Sequence, residues 1–529
     1  MSNRTLPCGS GGVTFIVMKT DIGEFTHDCD VVIVGAGPVG LMVGCELRLA
    51  GVRVTIIERR TEINRVIRAF GLTVPTVEAF YRRGLLPDLI QARWTHVRRS
   101  VESLAKYPHP SPPDALPSIG AVGHFAGIMI PRDSVDHDDP DFLERGPAGE
   151  MMPISQQMVE EILTRRASAI GVDLRRGVAV ETFEEQEDGV DVRLSNGERL
   201  RCGWLVGCDG GRSTVRRLSG FPFLGTNPEI TGWQAIVDFE NPEVLQPGWN
   251  RTDTGIYVFT PLTRRILIVE MDGPPEDRRS DVTREELQAA LRRVSKTDIT
   301  ITSVDSATRF TDHARQASTY VKGRIILAGD AAHVHPPFGG QGLNLGIGDA
   351  MNLGWKLAAT VQGWAPCGLL DSYTRERHPI GASVLDWARA QIALMRLDPL
   401  TESLRRIVSD LLCTADGATY AAKKLSGVVQ KYDMPGEHRL VGRSAPDVRV
   451  GDQLRLADLM HRGQAVLIGP PELGKRAADW HPRLVHAESP DGPAMLVRPD
   501  GYVAWASDDQ DDSTGLDEAL HTWLGDPGL

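Results

Sequence analysis

Residues 30–34, Asp-Val-Val-Ile-Val, form a short β-branched apolar run of the kind that fills a buried parallel strand. It runs into Gly35-Ala36-Gly37-Pro38-Val39-Gly40, followed by a helical pattern over 41–50, a stop at Gly51 and a second strand over 52–57. Strand, glycine-rich turn, helix and strand together make a βαβ unit. Further along, the periodicity predicts a helix over 156–170 and a hairpin within 188–206 that turns at Asn196-Gly197. Three alternating segments, 233–239, 255–259 and 265–271, predict an antiparallel sheet. Thr283-Arg284-Glu285-Glu286 reads as a capping box opening a helix that runs to about Val294. Strand-like 299–304 and 324–327 precede a second glycine-rich loop and a long helical region. Past about Pro435 the pattern changes to short strands at 465–468, 495–497 and 503–506, which marks a C-terminal domain. Between Lys106 and Pro117, five prolines exclude helix and central strand.

Composition narrows the classes. Of 529 residues, 41% are hydrophobic and 24% charged, an ordinary globular balance that excludes wholesale disorder. Acidic residues outnumber basic ones by 70 to 58, and a chain with a net charge of −12 repels phosphate backbones, so no nucleic-acid partner is expected. Seven scattered cysteines without a CxxC pair read as reduced thiols. The longest apolar run near the start, 13–18, is too short for a secretion signal or a membrane span. A cytoplasmic protein without membrane association is therefore expected, with residues 1–27 as a flexible appended tail.

Gly35-x-Gly37-x-x-Gly40 has the context that gives this spacing meaning. The first glycine permits the tight turn, the second lets a pyrophosphate approach the backbone, and the third lets helix pack on strand. A phosphate then meets the free N–H groups and positive dipole end of the helix. Glu58 lies 23 positions after Gly35, at the end of the second strand, where an acid takes ribose hydroxyls. The pattern predicts a dinucleotide but does not choose between FAD and NAD. Two distant segments bear on that choice. Residues 208–217 read Cys-Asp-Gly-Gly-Arg-Ser-Thr-Val-Arg-Arg, and residues 324–344 run through Gly329-Asp330 and His333-Val334-His335-Pro336-Pro337-Phe338 to Gly339, Gly340, Gln341, Gly342, Leu343 and Asn344.

These three segments, in this order, resemble the FAD-dependent aromatic hydroxylases, the flavoprotein monooxygenases of the p-hydroxybenzoate hydroxylase type. Within that family, residues 309–358 and the tail 497–505 look most like the actinobacterial polyketide-tailoring hydroxylases and the rifampicin monooxygenases. The resemblance implies an α/β (α+β overall) fold with a Rossmann-like FAD-binding domain in pieces at 28–105, 150–225 and 310–400. It further implies a mixed-sheet substrate domain at 106–149 and 226–309, linking helices at 401–434 and a thioredoxin-like domain at 435–529.

It also assigns roles. Asp330, beside Gly329, inherits a ribityl hydroxyl of FAD; Asp209 and Gly210 inherit FAD and nicotinamide handling; Arg68 lies near the flavin and phosphates, and Gln156 contacts FAD. Gly35, Gly37, Pro38, Val39, Gly40, Glu58 and Arg59 fall to the adenosine and pyrophosphate end. Pro336, Gly339, Gly340, Gln341, Gly342, Leu343 and Asn344 fall to the isoalloxazine end. The expected catalytic set is Arg68, Pro336, Phe338 and Gly339. Asp349 and Asn352 are expected at the head of the helix that follows.

His333-x-His335 has no accompanying acid or thiol cluster, so a loop-fixing role is expected and no metal. Trp94, Trp233, Trp387 and Phe338 are candidate walls of an aromatic pocket, against the plainer reading of ordinary core. The C-terminal domain has no cysteine after 435 and reads as structural, in a monomer or homodimer. The implied reaction is hydroxylation of a polycyclic aromatic, polyketide-type small molecule, with NADPH or NADH reducing FAD and O2 supplying oxygen through a C4a-hydroperoxyflavin. Baeyer–Villiger oxygenation, flavin dehydrogenation and non-catalytic sequestration of an aromatic stay open as alternatives.

Overall fold

The computed structural model describes residues 27–527 apart from 67–68, 107–119, 278–279, 452–453 and 490–491. Arg68, nearly all of the N-terminal tail and most of the proline-rich segment thus lie outside the described residues.

The chain begins with β1 (Cys29–Val34), α1 (Pro38–Leu49) and β2 (Val54–Glu58). After a long helix, Leu86–Lys106, and a small hairpin, Ala121–Phe125 with Ile128–Pro131, come α2 (Gln156–Ala169) and β3 (Asp173–Arg176). They lead into β4 (Val180–Glu185), β5 (Val190–Leu194), β6 (Arg199–Gly207) and the short α3 (Thr214–Leu218). Asn196-Gly197 turns β5 into β6, as the dipeptide predicts. The hairpin in 121–131 follows the proline-rich segment: apolar Ile128 and Ile130 are buried and draw the chain into a ladder.

A second sheet follows, from β7 (Thr231–Phe239), β8 (Gly248–Arg251), β9 (Gly255–Thr260), β10 (Arg265–Glu270), then α4 (Arg284–Ser295) and β11 (Ile301–Phe310). Its order is β8-β9-β10-β7-β11, with each adjacent pair antiparallel. Alternation divides its faces. Ile266, Ile268, Ala235 and Tyr257 pack beneath α4, while Leu267, Val269 and Ile256 point the other way, into an apolar cluster that also holds Phe338. The capping box closes only halfway. Thr283 accepts from the Glu286 N–H, but the Glu286 carboxylate is taken by Arg309 and by Trp233 Nε1 at 2.7 Å.

β12 (Val321–Lys322) and β13 (Ile325–Leu327) return to the first sheet, ordered β12-β13-β6-β1-β2-β3, with β13, β6, β1, β2 and β3 parallel. Then come α5 (Gly342–Gln362), α6 (Asp371–Met395), α7 (Pro399–Leu412) and α8 (Ala415–Ser426). α5 lies against α1 at a distance set by small residues: a Cβ on Gly346 would stand 2.5 Å from Val39, and one on Gly354 would stand 2.3 Å from Glu46. The C-terminal unit carries β14 (Ala465–Ile468), β15 (Leu484–Ala487), β16 (Ala494–Val497) and β17 (Val503–Ser507), ordered β15-β14-β16-β17. Among the described residues, no helix is long and apolar enough to cross a membrane.

Candidate active site

The site begins where the parallel strands end. β1 gives way to Gly35, whose φ of +106° and whose Cα, too close to the Cys208 carbonyl for any side chain (a Cβ would come within 2.5 Å), demand glycine. Pro38 opens α1 at its first turn, where a missing N–H costs nothing. A methyl group built on Gly37 meets nothing within 4 Å, so the backbone faces open space at the uncapped start of α1, the place a pyrophosphate needs. Glu58, at the end of β2, accepts from the Ala36 N–H at 2.8 Å and the Arg60 N–H at 2.9 Å and so locks the turn beside that space. Val39 packs on Gly329 and Gly346 and holds α1 to the second loop; Arg59 is exposed.

Asp209 caps α3, its Oδ2 accepting from Thr214 N–H at 2.6 Å and Val215 N–H at 3.2 Å; its Oδ1 is buried without a partner. Gly210 takes φ of +82° in the same turn. Arg216 ties that segment to the second loop by donating to the Ala331 carbonyl at 2.8 Å. The Gln156 side chain donates to Glu160 on its own helix at 2.7 Å, while its backbone N–H reaches the Ala69 carbonyl.

The second loop descends from β13 through Gly329-Asp330, His333 and Pro336 to Gly340. Asp330 is exposed, and its Oδ1 lies 4.0 Å from where a Gly342 Cβ would stand; His335 Nε2, buried and unpartnered, lies 3.5 Å from the same point. Burial holds the His335 ring below its ordinary pKa, hence neutral. No side chain caps α5, whose N-terminus opens at Gly342, with Gln341 as its N-cap. Gly340 beside it faces open space. Buried Leu343 and Asn344 fill the first turn of α5. Asn344 accepts from the Thr73 N–H at 2.8 Å and donates to the Gly71 and Gly340 carbonyls, joining the segment after 68 to the loop.

Asp349 and Asn352 are not at the helix head. α5 starts at Gly342, so they lie two or three turns in, fully buried. Asp349 accepts from the Gly329 N–H at 3.0 Å, His333 Nε2 at 2.6 Å and Arg377 Nε at 2.9 Å, pinning both ends of the Gly329–His333 turn. Burial opposes its charge, but His333 and Arg377 hold the carboxyl below the usual range. His333 thus fixes the loop, and no metal-binding group of His, Cys, Asp or Glu occurs among the described residues.

Opposite the loop stands the inner face of the second sheet. Phe338 lies 5.8 Å from Phe310 and 6.3 Å from Trp249 between ring centroids, and Trp249 lies 4.6 Å from His124. Trp387 packs on Phe125 at 4.4 Å, near Gly339. Two of the four candidate aromatics, Phe338 and Trp387, therefore belong to this apolar cluster. Trp233 does not, because strand parity turns it toward α4, and Trp94 is 69% exposed on its helix. His124, Trp249 and the polar side chains Gln234 and Arg265 join the wall. Parity is the signal that finds the last two: Arg265, Leu267 and Val269 share one face of β10.

The residues fit FAD on their own geometry. Two open glycine turns at helix N-termini, an acid at each strand end and orphaned buried acceptors match a pyrophosphate, two sugars and a ring edge. In this setting Glu58 would hold the adenosine ribose and Asp330 the ribityl chain.

Comparison with known proteins agrees. The family profile described as FAD binding domain matches residues 28–388, and the one described as aromatic-ring hydroxylase, C-terminal, matches 438–527. A rifampicin monooxygenase from Streptomyces venezuelae is 38% identical over 512 residues, covering 94% of this chain and 98% of that one. A 12-dehydrotetracycline 5-monooxygenase/anhydrotetracycline 6-monooxygenase from Streptomyces rimosus is 38% identical over 533 residues, covering 94% and 99%. The solved anhydrotetracycline hydroxylase from Streptomyces rimosus superposes with a TM-score of 0.82 at 37% identity, covering 94% of this chain and 99% of that chain. On these matches the chain belongs to the FAD-dependent aromatic-ring hydroxylases and is a flavoprotein monooxygenase.

Proposed function

We propose that this enzyme hydroxylates a polycyclic aromatic substrate of the polyketide type, using NADPH or NADH as reductant and O2 as co-substrate. The observation that carries the reading is the apolar and aromatic face of the second sheet, set against the loop from Pro336 to Gly339. Flat ring systems bury well against Phe310, Phe338 and Trp249. The names of the relatives, for rifampicin and for 12-dehydrotetracycline and anhydrotetracycline, support the substrate class.

FAD, when bound, supplies the redox chemistry and the activation of oxygen. The chain's own residues do the rest. With FAD bound, the uncapped N-terminus of α5 would offer partial positive charge to an anionic form of the ring. Asp349, His333 and Arg377 keep the loop in one geometry. Pro336, Phe338 and Gly339 carry no titratable side chain and Phe338 is buried in the apolar cluster, so this part of the loop would help keep water from the ring. Arg68, outside the described residues, enters this proposal on the family resemblance alone.

The domain limits proposed for the chain are those named above. The C-terminal unit, with its β15-β14-β16-β17 order, is read as thioredoxin-like and structural. Its lack of cysteine and the free thiols elsewhere in the described chain suit a cytoplasmic location.

The test is NADPH- and substrate-dependent O2 uptake, with the product characterised by NMR after turnover under labelled O2. A new phenolic carbon bearing the label is expected. A labelled lactone or ester oxygen would make the reaction a Baeyer–Villiger oxygenation, and substrate oxidation without label would make it a dehydrogenation.

A further inference from the structure

Gln234 and Arg265 enter the wall facing the flavin loop from adjacent strands, beside apolar Leu267, Val269 and Phe338. Gln234 pairs with Leu267 across β7 and β10, and Arg265 stands two residues before Leu267 on the same face. Its guanidinium lies 4.2 Å over the ring of Phe70, whose neighbour Gly71 is bound by Asn344 at the head of α5. Arg265 is thus held between the sheet and the loop.

Its partners are few. Nη2 donates to Gln234 Oε1 at 3.0 Å, and the buried Nε has no partner. Three other arginines set in the interior each face a carboxylate: Arg83 has Glu46 at 2.6 Å, Arg377 has Asp349 at 2.9 Å, and Arg498 has Glu376 at 2.8 Å. Among the described residues, no carboxylate pairs with Arg265. Burial alone pulls its pKa down to about 10, which leaves it charged at neutral pH. The nearby histidine adds no second charge: burial, helped by Arg265, holds His124 near 4, and the Gly127 N–H approaches its Nδ1 at 3.4 Å, which puts the ring proton on Nε2. A guanidinium in an apolar wall with an idle donor is costly until an anion arrives. Its planar fork suits an oxygen anion on a flat molecule.

We propose that Arg265, steadied by Gln234 and Phe70, is a specificity-determining residue that binds one acidic oxygen of the substrate, a phenolate, enolate or carboxylate carried on the ring system. The proposal rests on the aromatic-substrate reading and narrows it to acidic polycyclics. The same guanidinium could in chemical terms meet a coenzyme phosphate, so the experiment separates the two sources.

FAD-loaded protein is titrated with anthraquinone-2-carboxylate and with anthraquinone-2-carboxamide, a neutral probe of the same shape, and binding is followed by tryptophan quenching. The wild type should prefer the carboxylate at least tenfold. In Arg265→Gln the carboxylate should weaken ten- to a hundredfold while the carboxamide stays within twofold and FAD content is unchanged. Arg265→Lys should restore part of the preference. Equal affinity for the two probes in the wild type overturns the subsite alone and needs no variant. Equal losses of both probes in Arg265→Gln overturn it too, as does a rise confined to the KM for NADPH. If neither probe binds the wild type, the aromatic-pocket reading falls and the subsite with it.

Discussion

At its N-terminus α5 presents Gly342, an uncapped first turn and, converging on it, exposed Asp330 and the unpartnered Nε2 of His335. Two to four turns on, the same helix is wired shut. Asn352 donates to Glu376 at 2.7 Å and to Asp500 at 3.2 Å, and Lys356 reaches Asn352 and Glu376 at 2.9 Å. Arg498 from the C-terminal unit grips Glu376 with both ends of its fork and also holds Asp500. Both regions are rich in polar atoms, and polarity alone does not mark function. Satisfied groups cross-link; idle donors and acceptors beside open backbone await a ligand.

The comparison can be broken from either side. Arg498→Met should have the largest effect, because it strands buried Glu376 and Asp500; about 3–5 kcal/mol of unfolding free energy should be lost in urea titration. A loss below about 1 kcal/mol would mean that the network is not structural. At the other end, Asp330→Ala should weaken FAD by about 1–3 kcal/mol, read by flavin fluorescence during apoprotein titration, while the unfolding midpoint of the apoprotein stays put. Unchanged FAD affinity would remove Asp330 from the ligand side.

A gentler effect should appear with pH. Burial outweighs Glu376, which is shared with Arg498, and brings Lys356 from 10.5 down to about 7. Between those two values the unfolded chain holds the extra proton, so this group makes stability rise as pH climbs through that window and withdraws the gain as pH falls to 7. Lys356→Met should flatten that rise in midpoints measured from pH 7 to 9.5; an identical slope would show that Lys356 keeps its charge. Smallest of all, Trp94→Ala should leave stability within about 0.5 kcal/mol and turnover unaltered. A clear loss of substrate affinity would return Trp94 to the pocket wall.

Legibility in the sequence followed the same division. The Gly35 turn, Glu58 and the Gly329-Asp330 loop could be read because backbone geometry forces particular residues at particular spacings. Strand alternation located the second sheet, but which face looks toward the flavin loop depends on where α4 packs, so Trp233 could not be told from Phe338 by pattern. The half-made capping box shows the same limit, since Glu286 goes to Arg309 and Trp233, both distant in sequence. Asp349 misleads for a related reason: the loop's glycines draw attention to the helix head, whereas its work depends on Arg377 and His333 meeting it in space. Arg265 could have been singled out by parity, but its lack of a counter-charge is a property of the assembled wall alone.

The ties between α6 and the C-terminal unit bear on how these enzymes can be recombined. Glu376 and Arg377 are adjacent on α6; one is bound by Arg498 and the other by the Tyr432 hydroxyl, while Arg83 reaches the Met460 and Pro499 carbonyls. Cutting the chain before 435 and grafting on a relative's tail would leave Glu376 without Arg498, and Arg83 without two of its carbonyl partners, facing whatever the donor supplies. A workable chimera therefore exchanges α6 and the C-terminal unit together, with the boundary placed ahead of Asp371 rather than at the visible change of pattern near Pro435.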